Sequence, residues 1–510
     1  MQSHRMLLAA VVAIALPITA AGAMDIRVGY TADALTLDPA NHRSRVTEGI
    51  IRNMYDGILA RDDQMKVWPE LAESYSQLDP TTYEFKLRKG VKFHSGDEMT
   101  AEDVKFTFDR LIKENAMGGQ TSPRKSLLGP LKEVQVMDKY TVRFVLENAW
   151  PVLPGMLPFQ EVVSKAFVER VGTKGMATQV NGTGPFKLVE WRQGDSVIME
   201  RFDGYYGGAA GITPVGPAKA DRVIFKIIPE NASRVAALLA GEVDLINDLP
   251  VHAMKQVEAN PNTKVLKTPG TRSNFILLNT TQKPFGDVRV RQAANHAINK
   301  KLIIDKILNG LATPINGILS PQSFGFNPDL PEYEFDPDKA RKLLAEAGYP
   351  NGIEVTLDAE NPQKDIAQAL ASMLTQAGIR TKVQIWERNA LRQHWKPKGA
   401  KNVRDMYISS WGSGALDPSG IFVPVLRTDA RGNRSGYSNA EVDGLLDASA
   451  TEIDAAKRSK MFQDAQVIIN REAPLIFLWL PEDIYGANVK LEGWAPSGRG
   501  IIKLHDAYIR

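Results

Sequence analysis

Across 510 residues, segments with a two-residue apolar period alternate irregularly with segments of helical period, and no repeat, low-complexity tract or long linker separates them. Such a chain must build mixed α/β domains joined by tight crossings rather than tethers. Ile26, Val28 and Tyr30 alternate with Asp25, Arg27 and Gly29 to open a strand, and Tyr83, Phe85 and Leu87 repeat the pattern. Val142, Phe144 and Leu146 do so again, as do Val223, Phe225 and Ile227. Thr100 with Asp103 approximates a capping box ahead of Val104, Phe108 and Leu111, which share one helical face. Asp336 reads as an N-cap, Pro337 fits the first helical position, and Gly348 closes that helix. Further helices are predicted over 231–241, 365–377, 440–449 and 454–471, and a short strand over 243–246. The continuous apolar run from Leu475 to Leu480 reads as a strand buried on both faces. Turn-rich stretches at 179–184 and 268–273 are the candidate crossings, where a few residues can absorb a hinge motion.

Composition narrows the class. The net charge is +3, with 43% hydrophobic and 24% charged residues, so no global field points to nucleic acid or a membrane surface. The densest basic region, Arg388, Arg392, Lys396, Lys398 and Lys401, reads as a solvated face. At the start, Arg5, an apolar stretch from Leu7 to Ile18, and Ala21-Gly22-Ala23 have the layout of a cleavable export signal over residues 1–23. The apolar stretch is shorter than the roughly 20 residues a membrane span needs. There is no cysteine, so disulfides, thiolate chemistry and a lipid-modified N-terminal cysteine are all excluded. The expectation is a soluble, unlipidated periplasmic protein.

Motifs for catalysis are absent. The seven histidines, at 4, 42, 94, 252, 296, 394 and 505, form no pair at metal-ligand spacing, and neither a nucleophile elbow nor a phosphate loop occurs. Gly182-Thr183-Gly184 has half a dinucleotide fingerprint, but Pro185 follows where a helix should begin. No cofactor is called for.

Three segments together resemble the large extracytoplasmic solute-binding proteins that serve ABC importers of dipeptides, oligopeptides and nickel. The first runs from Tyr83 to Val104, YEFKLRKGVKFHSGDEMTAEDV. The second is GTGPFKL from Gly182 to Leu188, followed by Trp191, Gly194-Asp195 and Tyr205-Tyr206-Gly207. The third is LNTT at 278–281 with Pro284-Phe285, DVRVRQA at 287–293 and AIN at 297–299. The resemblance covers about residues 24 to 485. It implies a class II Venus-flytrap α/β fold of two lobes and three domains. Domain I would comprise 24–57, 184–269 and 485–510; domain II, 58–183; and domain III, the opposite lobe, 270–484. It also implies a monomer that closes on a small organic ligand and docks on an inner-membrane ABC permease, with no nucleic-acid partner. Two rival readings, a periplasmic hydrolase and a chaperone or sensor-coupled receptor, stay open on sequence alone.

The resemblance places ligand contacts in the loop after Met406 and Ile408, at Ser410, Trp411, Ser413, Gly414 and Asp417. In peptide-binding relatives, the third residue after this tryptophan is an aspartate that holds the ligand ammonium; here it is Gly414. Dipeptide binders carry an arginine where this chain has the acidic stretch Asp358-Ala359-Glu360. Both departures argue against a plain dipeptide. The small residues at 412–415 would leave room for a modified peptide, an opine-like conjugate or a saccharide. Arg388 and Arg392, four apart, could reach an anionic group; Arg43 and Thr183 complete the candidate set.

Overall fold

The computed structural model describes residues 24–62, 66–209, 212, 216–387, 390–391, 395, 404–498 and 500–510. The molecule is mixed α/β, with two lobes and three domains. Among the described residues, one twelve-stranded sheet runs through both lobes, and a separate four-stranded sheet stands apart.

Two of the predicted strands, Asp25–Tyr30 and Arg222–Ile227, sit side by side in the large sheet. Asp25–Tyr30 pairs in parallel with Arg222–Ile227, which continues antiparallel to Ser196–Arg201 and then Phe186–Arg192. On its other side Asp25–Tyr30 meets Leu245–Ile246, a shorter strand than the 243–246 predicted. Its inward residues Ile26, Val28 and Tyr30 join Phe186, Val223, Phe225, Tyr485 and Ile502 in a first core. A second core forms where Thr82–Leu87 and Thr141–Leu146 bury Tyr83, Phe85, Val142 and Phe144 against the helix Ala101–Ile112. That helix has the expected Thr100–Asp103 capping box. The opposite lobe holds the remaining strands, Ile379–Trp386, Ile353–Glu360, Met406–Gly412 and Arg272–Leu278, with helices Lys364–Gln376, Ala440–Ser449 and Ala455–Glu472 around them.

One strand joins the lobes. Leu475–Asn488 pairs through residues 475–479 with Arg272–Leu278 and through residues 482–488 with Thr263–Pro269. Leu475 to Leu480 is buried throughout, as the apolar run predicts, but the strand continues eight residues beyond Leu480. Pro481 is tolerated because its partner changes there, so a missing N–H breaks no continuous ladder. Its carbonyl accepts from the amide of Gly270 at 3.0 Å, and a Cβ at Gly270 would lie 2.7 Å from that oxygen. The lobes therefore connect through two adjacent backbone crossings, one at residues 269–271 and one at 481–483.

No helix among the described residues is long and apolar enough to cross a membrane. The N-terminal export segment lies outside the described residues.

Candidate functional site

The strand Met406–Gly412 carries its loop to the edge of the opposite lobe, where it meets the first. Arg61 donates from Nη2 to the carbonyl of Gly155 at 2.8 Å and, across the gap, to that of Ala415 at 2.9 Å. Phe159 faces Gly414 closely: a Cβ at position 414 would lie 3.1 Å from Phe159 Cζ. Burial, then the neighbouring Arg52, lowers the Arg61 pKa to about 10, while Asp417 pulls it up. The guanidinium still carries its charge at neutral pH. These contacts put the two lobes edge to edge at one rim of the cleft.

They also explain the small residues of the loop. A Cβ at Gly412 would sit 2.5 Å from the carbonyl of Thr271, and Gly414 admits Phe159. The glycines let protein approach protein, so the room expected there for a larger solute is filled by the chain itself. Ser413 packs on Gly420, whose Cβ position would be 2.5 Å from Ser413 Oγ. Ser410 is half-buried, and its carbonyl accepts from Arg272 at 3.3 Å.

Trp411 is half-buried against the core of its lobe. Its indole N–H donates to the carbonyl of Gly420 at 3.0 Å, and the guanidinium of Arg431 lies 5.6 Å from the ring centre. The ring is thereby fixed in orientation before any ligand arrives. Arg43 lies on the first lobe, exposed, with Nη1 3.3 Å from Ser126 Oγ. Burial lowers its pKa, and the charges of Arg431 and Arg124 lower it further. Its loop is anchored by Arg124, 1% exposed, which donates from Nε to the carbonyl of His42 at 2.9 Å and also to the carbonyl of Phe159. Burial, with the Arg124 charge second, drives the His42 pKa down to about 3, so the imidazole is neutral.

Other sequence candidates have different placements. Asp358 is 0% exposed, and its carboxylate accepts from Trp386 Nε1 and Trp395 Nε1, each at 2.9 Å, and from Arg404 Nε at 2.7 Å. It is the centre of a buried polar cluster and presents nothing to a solute. Asp417 forms a two-point ion pair with Arg458 at 2.7 and 2.9 Å and accepts from Ser419 Oγ at 2.6 Å. That pair leaves it no role in replacing a charge at position 414. Thr183 is 0% exposed, between glycines that press against the backbone of Met54. Arg388 and Arg392 lie outside the described residues.

Sequence reasoning missed Phe159, Arg61, Ser126 and Arg431. Arg431 opens the turn Arg431-Gly432-Asn433-Arg434, where a Cβ at Gly432 would fall 2.7 Å from the Pro424 carbonyl and 3.1 Å from the Trp411 ring. Neither spacing nor composition relates that turn to Trp411, twenty residues earlier. Among the described residues, no group of three or more His, Asp or Glu is arranged to hold a metal ion.

Comparison with known proteins is consistent along the chain. The glutathione-binding protein GsiB of Pectobacterium atrosepticum is 30% identical over 506 residues, which is 97% of this chain and 95% of that protein. The structure of HbpA2 from Haemophilus parasuis superposes with a TM-score of 0.86 at 25% identity, covering 95% of this chain and 100% of that one. AgaA from A. tumefaciens R10, in complex with agropinic acid, superposes with a TM-score of 0.72 at 25% identity over 95% of this chain and 99% of that one. The model of the bacterial extracellular solute-binding proteins, family 5 (middle region), matches residues 66–433. With that match spanning well over half its length, the chain belongs to the bacterial extracellular solute-binding proteins of family 5.

Proposed function

We propose that this chain is the periplasmic solute-binding component of an ABC importer, capturing a peptide-like or other small organic solute between its lobes and delivering it unchanged to an inner-membrane permease. The observation that carries this reading is the rim contact of Arg61 and Phe159 with Ala415 and Gly414, beside two crossings short enough to act as a hinge. A solute shifts such a two-state equilibrium only by touching both lobes at once. The names of relatives that bind glutathione and agropinic acid point to the same ligand size and class. The protein acts as a free monomer and catalyses no reaction.

The domain division follows the cores. Domain I comprises 24–57, about 163–269 and 485–510, domain II is inserted between its first two parts, and 270–484 forms the opposite lobe. Val163, Phe167, Val168 and Met176 pack into the first core, so the return from domain II belongs near residue 162 rather than 183.

Thermal shift and small-angle scattering with glutathione, Met-Leu, opines and saccharides test the reading. One class raises Tm and shrinks the radius of gyration, and the compound is recovered intact; linkage gives about 2.7 kcal/mol at a hundredfold excess over Kd. Met-Leu gives little shift, because Phe159 occupies the place of the missing ammonium-binding side chain. The reading falls if no compound compacts the protein. Turnover lost on a single carboxylate substitution would instead favour a hydrolase.

A further inference from the structure

We propose that Arg43 and Arg431 form a two-sided anion clamp, so that the solute presents a carboxylate held between the lobes; this rests on the solute-binding reading above. A chain of contacts spans the cleft between the two arginines. Arg124 ties the carbonyl of His42, next to Arg43, to that of Phe159. Phe159 meets Gly414, three residues from Trp411, and the Trp411 ring carries Arg431 at 5.6 Å. The charge of Arg431 reaches Arg43, on whose pKa it acts second only to burial.

Both guanidinium groups are exposed, and among the described residues neither has a carboxylate within ion-pair distance. Arginines elsewhere on the surface do have one: Arg222 lies 2.6 Å from Asp25, Arg289 2.6 Å from Asp287, and Arg427 2.9 Å from Asp447. Two like charges brought together by closure oppose it, and a bound anion reverses the sign of that interaction. The clamp thus gives a charged solute the differential contact that closure requires. Trp411, locked by its bond to Gly420, supports one guanidinium from its face and leaves the in-plane N–H groups for two-point bonding to a carboxylate. Ser126, already at Arg43, adds a hydroxyl donor. Position 414 offers no acid for an ammonium, so recognition moves to the anionic end of the ligand.

Isothermal titration with glutathione and with its diethyl ester, whose carboxylates are blocked, tests the clamp. Wild type prefers glutathione by at least about thirtyfold. Arg43→Met and Arg431→Met each weaken glutathione binding by about ten- to hundredfold. In either variant the preference over the diester falls to within about threefold of unity, and Arg431→Lys restores part of it. Equal binding of the two probes by wild type overturns the clamp, as does loss of both in parallel in the methionine variants. Wild type that binds neither probe also overturns it; compaction by another compound of the broader panel would then leave the solute-binding reading standing.

Discussion

Two seams hold this molecule together, and they are made of different material. Between the first and second cores the seam is ionic and buried. Arg124 meets Glu48 and Glu161, each at 3.2 Å; Arg110 meets Asp38 at 2.8 Å; Lys503 meets Glu70 at 2.8 Å. Between the lobes the seam is mainly backbone: two strand crossings and the hydrogen bond that the Gly270 amide donates to the Pro481 carbonyl, with Arg61 and Phe159 at the rim. Buried ion pairs demand fixed geometry, because a small displacement leaves desolvated charge without compensation. Backbone crossings can absorb rotation through a few dihedrals. The contrast teaches where motion is permitted: the ionic seam resists displacement, and the backbone crossings admit rotation.

The largest expected effect breaks the rigid seam. Arg124→Met removes the arginine shared by Glu48 and Glu161, leaving Glu161 with Arg52 at 3.1 Å, and costs about 3 kcal/mol in denaturant-unfolding measurements. A cost under 1 kcal/mol would show that the ions of this seam do not fix it.

The second concerns Asp56. Burial, and then Glu70, raises its pKa to about 7, against the pull of Lys503 and of the Tyr206 and Tyr205 hydroxyls. The folded state therefore holds a proton that the unfolded state has lost above about pH 4, and this contribution to stability declines as pH rises, levelling off above about 7. Buried histidines, whose pKa values are lowered, act in the opposite direction, among them His94 and His505 at about 4 each. The difference between Asp56→Asn and wild type isolates the carboxyl. Asp56→Asn gains about 2 kcal/mol relative to wild type between pH 5 and pH 8. A flat difference would mean that Asp56 is ionised throughout.

The smallest effect sharpens the mobile seam. Arg61→Met removes a bond to Ala415 that spans the two lobes, at about 1.5 kcal/mol, or roughly tenfold in ligand affinity. Stability without ligand falls by less, about 1 kcal/mol, from loss of the bond to Gly155 within one lobe. An equal loss of stability and affinity would place Arg61 in the rigid seam instead.

How much of this was legible depended on range. The capping box at Thr100, the apolar strand from Leu475 and the crossing near Thr271 are local, and each is written in consecutive residues. Of the large sheet only some strands were legible, among them Asp25–Tyr30, Arg222–Ile227 and Met406–Gly412. The partners of Asp417 and Asp358 lie 41 and 46 residues away, at Arg458 and Arg404. An acidic residue in a loop looks the same in sequence whether it meets a solute or a buried arginine. Phe159 was illegible for the same reason: only the fold sets it against a glycine more than two hundred residues later. The strand from Leu475 extends past Leu480, where the apolar run ends, and the change of partner that accommodates Pro481 is a property of the assembled sheet.

That shared strand has a consequence for how the molecule can be divided. Each half completes its sheet with its own part of the fourteen residues of Leu475–Asn488. Severing the chain at both crossings would therefore divide this strand end from end, leaving residues 475–479 paired with Arg272–Leu278 and residues 482–488 paired with Thr263–Pro269. The halves share a strand but not a ladder, so a cut between them opens no new edge to other chains.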